Sequence, residues 1–107
     1  MVEVEKTGES YIRLEEKAVS KVPTVAGTFV LADKAREIIY IGMAKNLNKA
    51  LMDTLEGYNS CLTKANYFQI SINPNPKEGV TNLFIEYKEE HGGFIPRCNK
   101  YDLSLGR

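Results

Sequence analysis

The spacing of apolar positions changes period several times along this chain, and each change marks an element. Tyr11, Leu14, Ala18 and Val22 recur at helical spacing with Glu15, Glu16 and Lys17 between them, which predicts an amphipathic helix over Glu9–Lys21. Ser10 is its candidate N-cap, and Pro23 stops it. Two β-rich runs follow, Gly27–Ala32 and Arg36–Ile41, joined by the polar triplet Asp33-Lys34-Ala35. Thr28, Val30, Ile38, Ile39 and Tyr40 are β-branched or aromatic and suit a pleated, half-buried surface. A short polar connection between two such runs predicts a β-hairpin.

Gly42 is expected to end the second strand. Ala44, Leu47, Leu51 and Leu55, with Ala50 beside them, then predict a helix over Ala44–Glu56 that closes at Gly57. Tyr58–Thr63 reads as connecting chain, and Ala65–Ile72 as a third strand ended by the turn cluster Asn73-Pro74-Asn75-Pro76. From Lys77 the stripe Val80, Leu83, Phe84, Tyr87 and His91 predicts a further helix, stopped by Gly92-Gly93. Residues 1–8 are expected to be flexible and 94–107 to form an irregular tail. The expected architecture is a single α+β domain over 1–107, a three-stranded antiparallel sheet flanked by helices.

Composition narrows the function classes. The chain has 107 residues, 43% apolar and 26% charged, the balance of a globular domain. Lys plus Arg and Asp plus Glu both number 14, so a large DNA interface driven by overall charge is disfavoured. Charge is uneven locally. Residues 1–20 carry five acids and three bases, whereas 21–65 carry six bases and four acids, which places Lys45, Lys49 and Lys64 around the central helix. The charged N-terminus lacks the apolar core of a signal peptide, and no apolar run is long enough to cross a bilayer, so a cytoplasmic protein is expected. Cys61 and Cys98 lack zinc-ligand spacing and are expected to be reduced thiols. A single histidine, His91, excludes a histidine-based metal site or catalytic triad.

The order of these pieces carries a resemblance. Gly27-Thr28-Phe29, followed by Tyr40-Ile41-Gly42 and Met43-Ala44-Lys45-Asn46-Leu47, resembles the GIY-YIG nuclease signature. Its second half, Tyr-Ile-Gly-x-Ala-x-x-Leu, is whole. Leu83-Phe84-Ile85-Glu86 resembles the family's apolar helix with its metal-binding glutamate, and Pro96-Arg97-Cys98-Asn99 its closing Pro-x-x-Asn. Pro96 follows Glu86 by ten positions, one more than the family pattern.

The resemblance implies phosphodiester cleavage assisted by one divalent ion, Mg²⁺. It assigns Tyr40 to positioning or deprotonating a water, with a packing aromatic as the other reading, and Glu86 to the metal. Phe29 stands where a tyrosine is usual and lacks its hydroxyl. Ala50 stands where an arginine is usual and cannot neutralise phosphate. Lys45 or another base could supply a point charge in its place. Arg36, Lys49, Lys64 and Arg97 are candidate nucleic-acid contacts, and Asn99 joins them, holds Glu86 or caps the tail. The expectation is therefore a nuclease-like domain with a degenerate site and weak or lost endonuclease activity. The alternative is a non-catalytic nucleic-acid or protein binding module.

Overall fold

The computed structural model describes residues 11–57 and 60–101. In order it contains β1 (Ile12–Arg13), α1 (Glu16–Val19), β2 (Gly27–Ala32), β3 (Ile38–Ala44), α2 (Leu47–Glu56), β4 (Tyr67–Ile72) and α3 (Pro76–Glu90), with 3₁₀ turns at Leu62–Lys64 and Arg97–Tyr101. The sheet has four strands, not the expected three, in the order β1-β4-β2-β3 and antiparallel throughout.

The extra strand replaces most of the expected first helix. Tyr11 packs with Val30 and Ile41, while Leu14, Ala18, Val19 and Val22 pack with Phe29, Leu31 and Phe68. The stripe that looks helical in sequence thus supplies both faces of the sheet, and the chain must cross the sheet edge between Tyr11 and Leu14. It does so as β1, paired with Tyr67 and Phe68, and only Glu16–Val19 remains helical. The expected cap at Ser10 lies outside the described residues.

The hairpin forms with a different boundary at each end. Arg36 is not in the strand. The carboxylate of Asp33 accepts hydrogen bonds from the Ala35 and Glu37 amides at 2.9 and 3.0 Å, organising a five-residue turn. Nor does Gly42 end β3. It pairs with Phe29, and the ladder runs on to the Gly27–Ala44 pair. α2 consequently starts at Leu47, where Asn46 caps it by accepting from the Lys49 amide at 3.1 Å. Gly57 closes it at φ 78°, a conformation that costs glycine least. α3 matches its expected stripe, with Pro76 in the first turn and Val80, Leu83, Phe84 and Tyr87 against the sheet.

Strand alternation divides the interior into two cores. Phe29, Leu31, Tyr40 and Phe68 meet Leu47 and Leu51 of α2 and Val19 of α1. Val30 and Ile41 project from the other face onto Val80 of α3. The described part of the tail, residues 94–101, is not irregular throughout, because Arg97–Tyr101 forms a 3₁₀ turn; the rest of the expected tail and residues 1–8 lie outside the described residues. Cys61 and Cys98 are not reduced thiols but a disulfide, with Cα atoms 5.7 Å apart across 37 positions. Sequence spacing could not show that the segment after α2 and the closing turn meet. Among the described residues no helix is long and apolar enough to cross a membrane.

Candidate functional site

The residues with chemical potential fall into three places. The first is the α2 face around Tyr40. The Tyr40 and Phe29 rings lie 5.8 Å apart at 34°, both almost wholly buried. Gly42 explains how they fit, because a Cβ there would stand 2.7 Å from the Tyr40 ring and 2.8 Å from that of Phe29. The Tyr-Ile-Gly triplet therefore has a packing reason at its glycine, whatever its tyrosine does. Ala50 is half-buried against this core, so its methyl takes part in packing and offers no charge. Lys45, Lys49 and Lys64, which lie before, on and after α2, are exposed. Lys49 forms an i,i+4 pair with Asp53 at 3.3 Å, an arrangement that holds an exposed lysine only weakly.

The second place is a cleft of about 290 Å³ on the opposite face, between α3 and the sheet. Its floor includes Thr28, Val30, Ile41 and Gln69, and its α3 wall includes Glu86, Tyr87 and Glu90. Glu86 is exposed at this wall. The structure therefore does not bring Glu86 together with Tyr40 and Ala50, since adjacent residues of a strand project to opposite faces and Tyr40 goes with α2. Among the described residues there is no cluster of three or more His, Cys, Asp or Glu. The hard oxygens of Glu86 and Glu90, one turn apart, nonetheless suit Mg²⁺, which needs only one or two carboxylates beside its waters.

The third place holds two of the candidate nucleic-acid contacts, Arg36 and Arg97, in company that the sequence did not show. Arg36 and Arg97, widely separated in the chain, line one hollow of about 410 Å³ with Glu37, Tyr11, Tyr87 and His91. Arg97 donates to Asp33 at 3.2 Å, and Arg36 lies over the Tyr67 ring at 5.0 Å. Tyr87 and His91 stack 3.8 Å apart at 9°, a consequence of i,i+4 spacing on α3. Burial holds the Tyr87 hydroxyl above the ordinary tyrosine range; Glu37 raises it further and Arg97 opposes. Burial likewise raises Tyr11.

Asn99 departs from the nucleic-acid rim on which it was a candidate. It is buried, its Oδ1 accepts from the Ile41 amide at 2.9 Å, and its Nδ2 donates to the Ile41 carbonyl at 2.9 Å. Both ends of the amide are spent on the open edge of β3, as a strand partner would be. This is the tail-capping alternative. Asn48 acts similarly, donating to the Val19 and Val22 carbonyls and tying α2 to the end of α1.

No protein-family model matches the chain, and no curated protein matches it. Solved structures do. The GIY-YIG N-terminal endonuclease domain of UvrC from Thermotoga maritima, bound to its catalytic divalent cation magnesium, superposes with a TM-score of 0.56 at 21% identity. The match covers 77% of this chain and 91% of that one. A point mutant of the same domain, also bound to its catalytic cation, gives 0.56 at 19% identity over 77% and 90%. In fold, this chain is a GIY-YIG-like α+β domain.

Proposed function

We propose that this chain is a nucleic-acid-binding domain on a nuclease-like fold, with metal-dependent phosphodiester cleavage weak or lost. The observation that carries the reading is the packing of Phe29 against Tyr40 beside Ala50, on a fold shared with an endonuclease domain. A hydroxyl and a guanidinium are missing at the two positions where the resembled signature has tyrosine and arginine. Loss of one preorganised donor of this kind costs about 10²–10³ in rate. Glu86, on the far face of the sheet, adds to the separation.

In this reading whatever cleavage remains depends on Glu86 on the open side, because Tyr40 is closed into the core on the other face and Lys45 is only a candidate point charge. Lys49, Lys64, Arg36 and Arg97 contact phosphates. Glu86 would hold Mg²⁺, whose chemistry is Lewis-acid polarisation of a phosphoryl oxygen. The zero net charge supports a limited contact with few phosphates, and it also favours the protein-binding alternative. A cytoplasmic location fits the absence of a long apolar helix among the described residues; the Cys61–Cys98 bond argues for oxidising surroundings instead. Thiol counting on freshly lysed cells decides between them.

The test combines cleavage and binding on single-stranded, flap and branched DNA with Mg²⁺ or Mn²⁺. The expected result is binding that weakens with salt along a shallow slope, with cleavage slow and abolished by Glu86→Ala but little changed by Tyr40→Phe. Rapid cleavage, or cleavage that survives Glu86→Ala, overturns the reading. Absence of binding at low salt transfers support to the protein-binding alternative.

A further inference from the structure

The hollow at the hairpin end gathers groups from the β2–β3 turn, α3 and the segment after it. Arg36 adopts φ 66°, the left-handed region that glycine or asparagine occupies at less cost. The turn itself is held by Asp33 through its Oδ1 and by the Arg36 amide donating to the Asp33 carbonyl at 2.8 Å. A glycine at 36 would serve that turn better. What arginine adds is a guanidinium, laid over the Tyr67 ring at the mouth of the hollow. Across from it Arg97 is fixed by the other Asp33 oxygen, so one carboxylate organises the turn and holds the second guanidinium. The remaining wall is aromatic, formed by the Tyr87–His91 stack and Tyr11.

The two ends of this hollow differ in what they attract. Arg36 and Arg97 offer paired N–H forks that match phosphate geometry. The end of α3 has the opposite polarity. The negative end of its dipole and the Glu37 carboxylate disfavour an anion there, the His91 ring is held in place through its Nδ1 on the Tyr87 carbonyl at 2.8 Å, and its flat face suits stacking. About 410 Å³ is the scale of a small-ligand site. We propose that this hollow binds a nucleoside monophosphate unit, phosphate on Arg36 and Arg97 and base on the Tyr87–His91 stack. The choice of ligand rests on the nucleic-acid reading above, and the unit could come from a free nucleotide or from the phosphorylated end of a strand.

His91 is the only histidine, so its imidazole signal in NMR reports on this hollow without ambiguity. The probes are adenosine 5′-monophosphate, inorganic phosphate and a short 5′-phosphorylated trinucleotide, titrated into the full chain. The expected result is a saturable His91 shift with the mononucleotide or the trinucleotide, weakened at least about tenfold for inorganic phosphate. Arg36→Gly, which relieves the backbone, and Arg97→Gln should each weaken binding about tenfold while the unfolding midpoint of Arg36→Gly does not fall. Tighter trinucleotide binding assigns the strand end; tighter mononucleotide binding assigns the free nucleotide. No saturable shift up to about 5 mM, equal binding by both variants, or inorganic phosphate binding as tightly as the nucleotide overturns the proposal. If long DNA fails to bind while His91 still responds to the mononucleotide, the broader reading falls and this site stands. If DNA binds and His91 is silent, the reverse holds.

Discussion

The two faces of the sheet are built to different standards. On the α2 side, Phe29, Leu31, Tyr40, Leu47, Leu51 and Phe68 form a closed core, tied at its border by the Cys61–Cys98 bond. On the α3 side the buried apolar cluster among the described residues is only Val30, Ile41 and Val80, and both hollows open there. The difference teaches where function can reside. A packed face has no room for a ligand, because side chains fill it at crystal-like density. A thin core under one amphipathic helix leaves polar groups reachable at its margins. The signature residues and the accessible chemistry have therefore come apart: Tyr40 sits in the closed core, while Arg36, Arg97 and Glu86 line the open side.

The comparison breaks first on stability. Phe68→Ala, at the centre of the closed core, is expected to cost about 3–5 kcal/mol, whereas Val80→Ala under α3 should cost about 1–2 kcal/mol. Urea unfolding of the two variants measures this directly, and equal losses would show that the faces are not unequal. Removing the disulfide with Cys61→Ser and Cys98→Ser together should cost about 2–4 kcal/mol, because the bond closes a long loop in the unfolded chain. A parent and variant that unfold alike under non-reducing conditions would show that the bond does not form.

A smaller effect tests the tail as a cover for β3. Asn99→Ala leaves the Ile41 amide and carbonyl without their side-chain partner and should cost about 1–3 kcal/mol. Hydrogen exchange at the Ile41 amide should accelerate by the same free energy. The least effect is on the open side and appears only in alkali. Burial holds Tyr11 and Tyr87 protonated in the folded state above their ordinary value of 10.0. The unfolded chain then releases those protons first, so their contribution is complete below that value and is lost as pH rises through the folded values. Unfolding midpoints measured between about pH 9 and pH 11 should fall, and Tyr87→Phe or Tyr11→Phe should flatten the slope.

Much of the fold is legible because it depends on neighbours in sequence. The hairpin, α2 with its glycine stop and α3 with its Val80-Leu83-Phe84-Tyr87 stripe follow from periodicity and turn residues, which act over a few positions. The GIY-YIG likeness was legible for the same reason, since most of its motif lies in one continuous strand-glycine-helix stretch. The fourth strand was not legible. Its residues have helical spacing, and only the presence of β4 beside them decides that they pair with a sheet instead.

The sequence by itself determined which groups are present: Phe29 without a hydroxyl, Ala50 without a charge, one glutamate at 86 and one histidine. Their company was decided by tertiary structure. Tyr40 lies across the sheet from Glu86 because alternate residues of a strand face opposite ways. Arg36 meets Arg97, and Cys61 meets Cys98, because the chain returns after α3 to close the edge of β3. Those meetings depend on contacts distant in sequence, which no local pattern encodes.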